Sequence, residues 1–212
     1  DVAGLLPDPL PSVMLAADDD DALRELVAQG DWPEPAVWVT ASPAACAVVE
    51  QCFGRTHDPA RGQVLFGDTA AIVPPVVHAT LRALSEADAD WLDMTPVSLS
   101  ATALRGWLRR GWRVFGALQG NRLLCHALAA YPVEGYDEVA AVFTAPRMRG
   151  QGLAKAVVAT VLFDIRRRGR AAFYVAARQN VSSQRVALGV GLQPIAETWE
   201  VATTCAARRG SE

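Results

Sequence analysis

The sequence predicts an α/β fold built on a mixed, largely antiparallel sheet, with a small α/β region in front of it. Three observations predict this. Strand-like runs at 112–118, 122–131 and 137–144 are separated by turns at Gln119-Gly120-Asn121 and around Gly135, which makes an antiparallel meander. Behind it a helical pattern over 152–168, a strand at 171–177, a helix at 181–190 and a strand at 194–203 alternate as crossover units do. The 212 residues are 51% hydrophobic and 20% charged, which supports a sizeable core and excludes global disorder.

The elements follow in order. Residues 1–17 carry three prolines and little periodicity, and read as an extended lead-in. Asp18 to Asp21 then favour the N-terminus of a helix over about 20–29, stopped by Gly30. The same aspartates lack the spaced ligands and glycine turn of a calcium loop. A strand at 36–40, a helix opened by Ser42-Pro43 and closed at Gly54, and a strand at 63–66 complete a β-α-β fragment. Pro74-Pro75 marks a seam, so the expected domains are 1–75 and 76–212. Beyond it, 79–84 alternates as a strand, and Ser85 with Asp88 opens a short helix to Trp91. A second helix over 100–110 carries Leu104, Trp107 and Leu108 on one stripe. Arg166 to Arg168 and Arg170 read as charge complementing a helix C-terminus that ends at Gly169.

Charge and cysteines narrow the function. The net charge of −3 lacks the basic surplus that phosphate neutralisation requires, so no nucleic-acid partner is expected. No run approaches the ~18 apolar residues of a membrane span, and no signal peptide is read at Asp1-Val2-Ala3-Gly4, so neither a membrane nor secretion is expected. Cys46, Cys52, Cys125 and Cys205 form no CxxC and have no histidine at zinc-ligand spacing. They read as buried thiols of a cytoplasmic protein without a metal.

The segment that carries chemistry is Thr144-Ala145-Pro146-Arg147-Met148-Arg149-Gly150-Gln151-Gly152-Leu153-Ala154-Lys155. It leaves a buried strand and enters the long helix. Two glycines let backbone approach a ligand closely, and the free N–H groups of the first helical turn, with Arg149 beside them, suit a pyrophosphate. A P-loop fails, because Gly150 is followed by Lys155-Ala156 where a second Gly and Lys-Ser/Thr belong. A dinucleotide fingerprint fails too: Lys155 stands at the third glycine and the preceding strands form a meander. The bland alternative is a tight turn, with Asn180 as a plain helix cap.

Arg149-Gly150-Gln151-Gly152-Leu153-Ala154 matches the [Q/R]-x-x-G-x-[G/A] signature of the GCN5-related N-acetyltransferases, the GNAT superfamily. Thr144-x-Pro146 sits where that family has V-x-P, and Asn180-x-x-Ser183 with Gly191-Leu192 resembles its N-x-x-A…G-F. The resemblance spans about residues 79–203, in the same order of elements.

It implies a GNAT-type sheet whose strands 137–144 and 171–177 splay apart, with the pantetheine arm of acetyl-CoA lying in the gap like an added strand. Val142, Phe143 and Thr144 would then supply backbone contacts to the arm. The amides of Gly150, Gln151, Gly152, Leu153, Ala154 and Lys155, with Arg149, would hold the pyrophosphate. Asn180 would reach the arm, and Ser183 would face the same groove. The implied activity is direct transfer of acetyl from acetyl-CoA to a small amine or amino acid in a ternary complex, without a metal. A non-catalytic acyl-CoA-binding protein and a protein or peptide N-acetyltransferase remain open as alternatives. Glu138 is the first candidate base; His126 reads as a satisfied core histidine, and Glu197 and Glu200 are further candidates. An acetylated Cys125 is disfavoured, because the family forms a ternary complex. The sequence departs from the family at its acid: many members carry Tyr four residues before the glycine of G-F, and here that residue is Ala187. Some relatives pair a degenerate N-terminal half with an active C-terminal domain. Residues 1–75 resemble such a half in layout, as an extension that walls off the acceptor or forms a homodimer face.

Overall fold

The computed structural model describes residues 12–14, 17, 19–32, 36–53, 61–68, 72, 75–92 and 99–203. Gly54, Pro74, Cys205 and most of the lead-in lie outside these residues. The chain divides into two compact units, one of residues 1–64, 177–179 and 196–212, the other of 65–176 and 180–195.

The first unit holds β1 (Ser12–Met14), α1 (Asp20–Gln29), β2 (Val37–Thr40), α2 (Pro43–Phe53), most of β3 (Arg61–Gly67) and the second part of β9 (Gln193–Ala202). The strand β1 corrects the reading of 1–17 as a lead-in without elements: it pairs parallel to β2, from Ser12↔Val37 to Met14↔Val39. Proline density masked this short strand, whose pairing depends on a distant neighbour rather than on local pattern. Asp19 caps α1, accepting from the amides of Asp21 and Ala22, so the aspartate run serves the helix end. Leu23 and Val27 bury one stripe of α1 against Trp38, Cys46, Val49 and Val201. Trp38 is fully buried and its indole N–H donates to Thr203 Oγ1 at 2.9 Å, which satisfies the one polar atom of that ring. Cys52 is exposed, unlike Cys46 and Cys125, which corrects the reading of every cysteine as buried.

The second unit contains β4 (Thr80–Ala83), a 3₁₀ turn at Glu86–Asp88, α3 (Ala89–Leu92), α4 (Ala101–Arg109), β5 (Arg113–Gln119), β6 (Arg122–Val133), β7 (Tyr136–Thr144), α5 (Leu153–Arg167), β8 (Ala171–Ala177) and α6 (Val181–Gly189). The last residue of β8, Ala177, falls in the first unit. The strand order among the strands of this unit is β8-β7-β6-β5-β4. Pairs β4–β5, β5–β6 and β6–β7 are antiparallel and β7–β8 is parallel, the mixed and largely antiparallel sheet the meander predicts. The capping box at Ser85 and Asp88 forms, and Arg82 closes over it with two bonds to the Asp88 carboxylate. That guanidinium holds the Asp88 carboxyl down to about 2.

Two cores build this sheet. Leu92, Leu99, Leu104, Val114, Leu123 and Leu128 form one, with Trp107 and Leu108 of α4 packed against it, as the predicted stripe requires. On α5 the buried residues Leu153, Ala156, Val157, Val161, Leu162 and Ile165 recur at helical spacing. The arginines at the end of α5 do more than complement its dipole. Arg168 and Arg170 both pair with buried Asp137 at 2.6 and 2.7 Å. Arg168 also reaches Asp164, which Arg113 of β5 grips at 2.7 and 2.9 Å. Arg166 pairs with Asp68. The expectation of plain dipole complementation missed this, because Asp68 and Asp137 lie tens of residues away in sequence and Asp164, though one turn away, is held by Arg113 of a distant strand.

Candidate functional site

The site begins where β7 and β8 part. Their pairing consists of Tyr136↔Ala171, Asp137↔Ala172 and Glu138↔Phe173, and goes no further along either strand. Beyond it, Val142, Phe143 and Thr144 are half-buried. The network around Asp137 clamps the closed end of this fork. Arg170 adds bonds to the carbonyls of Val133 and Tyr136, both at 2.6 Å.

A bulge re-aims β7 inside the fork. Leu128 pairs with Ala140 and His126 with Phe143, so two steps along β6 oppose three along β7. Ala141 absorbs the extra residue at φ 47, a left-handed conformation that costs a non-glycine residue of order 1 kcal/mol or more. Sequence reasoning missed it, since Ala140-Ala141-Val142 carries no turn signal.

The open end of the fork leads into α5. Ala145 is buried, Pro146–Met148 form a 3₁₀ turn, and Gly150 and Gly152 sit at φ 79 and 77, where a Cβ would be strained. Side chains of Asp19, Ser42, Ser100 and Asn180 accept from amides at the starts of α1, α2, α4 and α6. The α5 end has Gly152 at its cap and no side-chain bond there. The first intrahelical bond runs from the Ala156 amide to the Gly152 carbonyl, so the amides of Leu153, Ala154 and Lys155 precede the helical ladder. Arg149 donates from Nε to the Thr144 carbonyl at 3.3 Å. The side chain of Lys155 runs instead over Gly189, where an added Cβ would stand 2.4 Å from its Cε. Thus α5 and α6 share one face of the sheet.

The pleat sorts the remaining groups onto two faces. His126 lies near Trp107 of α4 and stacks on Phe143, with ring centroids 6.1 and 5.7 Å apart. Glu138 pairs across from Ala130, which belongs to the core that α4 covers, so its position is on that face as well. On the opposite face, Thr144 Oγ1 donates to Cys125 Sγ at 3.2 Å, and the Tyr174 hydroxyl meets Ser183 Oγ at 2.7 Å. Burial pushes the Cys125 thiol up to about 11, so it is a poor nucleophile at neutral pH. Glu197 is paired with Arg178, and Glu200 accepts from Gln63. Asn180 accepts from the Ser183 amide at 3.1 Å, the helix cap that its bland reading described. Ala187 is fully buried, so its position opens onto no groove.

His126 is buried as expected but is not satisfied: its Nδ1 has no hydrogen-bond partner among the described residues. Burial lowers its pKa from 6.5 to about 4. The unfolded chain therefore binds the proton first as pH falls, and stability present above pH 6.5 is lost progressively toward pH 4. The size is about 3 kcal/mol. His126→Phe is expected to flatten the urea midpoint between pH 7 and pH 4.5. An unchanged slope would place the acid sensitivity elsewhere.

Residues 115–200 match the family model described as FR47-like protein. Solved structures share the fold. A putative acetyltransferase of the GNAT family from Novosphingobium aromaticivorans superposes with TM-score 0.62 at 17% identity, covering 95% of this chain and 86% of its own. The fold is that of the GCN5-related N-acetyltransferases. A GCN5-related N-acetyltransferase from Kribbella flavida gives 0.58 at 16% identity, covering 91% and 78% of the two chains. A tandem GNAT protein from the clavulanic acid biosynthesis pathway gives 0.54 at 16%, covering 97% and 78%. No match is found among curated protein sequences. The fold to which the Arg149–Ala154 motif pointed is thereby borne out, as is the splayed sheet. Among the described helices none is long and apolar enough to cross a membrane.

Proposed function

We propose that the protein is an acyl-CoA-dependent N-acyltransferase that passes acetyl from acetyl-CoA to a small amine or amino acid. One observation carries this reading: the longest helix opens without a side-chain cap, on two left-handed glycines, at the open end of the β7–β8 fork. In the proposed complex the amides from Gly150 to Lys155 hold the pyrophosphate, with Arg149 alongside. The pantetheine arm enters between β7 and β8 and takes backbone contacts from Val142, Phe143 and Thr144. Asn180 and Ser183 border its α6 side.

The two faces then divide the labour. The arm arrives on the face of α5 and α6, and the acceptor amine approaches from the face of α4, where Glu138 stands at the closed end of the fork. Glu138 takes the proton, directly or through water, because only a neutral amine can attack the thioester carbonyl. A β7 amide at Phe143 or Thr144 stabilises the oxyanion that forms. The nitrogen–carbon bond closes, the carbon–sulfur bond breaks, and CoA leaves. Residues 76–212 form the catalytic domain in this reading, and 1–75 the α/β extension before it. The tandem GNAT neighbour supports a two-part layout.

A non-catalytic acyl-CoA binder is the second reading, favoured by the buried Ala187 at the position of the family's phenol. Both readings predict that millimolar acetyl-CoA raises the melting temperature by mass action. Only the enzyme releases free CoA thiol with a panel of amines and amino acids. A flat thermal shift would sink both readings; a positive shift without thiol release for any amine would select the second.

A further inference from the structure

The departing sulfur needs a partner. In a fork walled by apolar strands, a thiolate that forms away from water is costly unless a hydrogen-bond donor meets it. Ala187 is apolar and shut in the core, so it donates nothing. Among the described residues, the hydroxyls of Thr144, Tyr174 and Ser183 lie on the α5–α6 face, Tyr174 one residue and Thr144 six residues beyond the last β7–β8 pair. That of Thr144 is spent on the Cys125 sulfur at 3.2 Å. Those of Tyr174 and Ser183 meet at 2.7 Å. Two hydroxyls carry two protons, and the bond between them uses one. The other proton remains to donate outward.

Geometry decides which group faces out. Tyr174 follows Phe173, the last residue of β8 paired with β7, and is 2% exposed. Ser183 is half-buried in the first turn of α6, with its amide anchored to Asn180 Oδ1. We propose that Ser183 donates the hydrogen bond that receives the CoA sulfur as it leaves, and that Tyr174 is the positioning residue whose O–H, donated to Ser183 Oγ, aims it. The step balances. The amine lone pair forms the carbon–nitrogen bond, and the carbon–sulfur pair moves onto sulfur under the Ser183 hydrogen bond. The proton shed by nitrogen returns through solvent to the thiolate. Burial keeps the Tyr174 phenol protonated, so the pair holds both protons across the neutral range. This inference rests on the acyl-CoA reading above, and it assigns the leaving-group role that Ala187 vacates.

The test reads the sulfur directly. Thiolate absorbance of the CoA complex is titrated against pH for wild type, Ser183→Ala, Ser183→Thr and Tyr174→Phe, with the CoA-free protein subtracted. The bound thiol of Ser183→Ala is expected to titrate about one unit higher than in wild type, a tenfold loss of thiolate stabilisation. Ser183→Thr restores the wild-type value, and Tyr174→Phe falls between. In turnover, Ser183→Ala is expected to lower kcat about 10- to 100-fold with KM for acetyl-CoA within about twofold, a split that a merely structural defect would not give. A bound thiol that titrates alike in wild type and Ser183→Ala overturns the proposal, even where no amine substrate has been found. If wild type shows no thermal shift with CoA, the acyl-CoA reading has failed, and the donor role falls with it.

Discussion

Gly152→Asp is expected to abolish stabilisation by acetyl-CoA while the protein still folds. Gly152 caps α5 at φ 77, and the nearest atoms to a Cβ there, on Pro75 and Val77, are 3.9 Å away. Space therefore permits a side chain, and the backbone charges about 1–2 kcal/mol for a left-handed non-glycine residue. The carboxylate does the larger damage. It accepts from the open amides of Ala154 and Lys155 as Asp19 does from Asp21 and Ala22 at the start of α1, so it occupies the donors and repels the phosphates. Affinity should fall at least ~100-fold, about 2.7 kcal/mol. Gly152→Ala separates the two terms, because it carries the backbone strain without the charge and should keep most of the thermal shift. An Asp variant that binds CoA normally would put the pyrophosphate elsewhere and remove the observation on which the functional reading stands.

Asp137→Ala should be the most destabilising of these substitutions. The carboxylate is 5% exposed and receives Arg168 and Arg170 at 2.6 and 2.7 Å. Removing it leaves two guanidiniums facing a partly buried gap. Breaking a buried pair costs about 3–5 kcal/mol, and the lower end applies because both arginines keep roughly a third of their surface in water and can rehydrate. For a chain of this size, about 3 kcal/mol lowers Tm by roughly 6–12 °C. The consequence reaches the site, since Asp137↔Ala172 is the middle of the three pairs that close the fork. Hydrogen exchange at Tyr136, Asp137 and Glu138 should accelerate ahead of the rest of the sheet. A loss below about 1 kcal/mol would show that the arginines find other partners and that the clamp is dispensable.

Much of this was legible in the residues, for a physical reason. The meander, the helix caps at Asp19, Ser85 and Ser100, and the α4 stripe depend on neighbours within a few positions, where propensity and periodicity act. The Arg149–Lys155 turn was legible too, because only glycine sits comfortably at the two left-handed positions. What the sequence could not show depends on partners brought together from afar. It left His126 as a satisfied core residue, whereas the rings of Trp107 and Phe143 surround it and offer Nδ1 no bond. It read the arginines after α5 as dipole complement, whereas distant Asp68 and Asp137 recruit them into ion pairs. It carried no sign of the bulge at Ala141, since a bulge is a mismatch in count between two strands and belongs to neither alone. The sequence by itself determined the order of elements and the open turn before α5. The tertiary structure decided where β7 and β8 part and which hydroxyls meet there, because pairing register and packing across the sheet are set by contacts that no local segment contains.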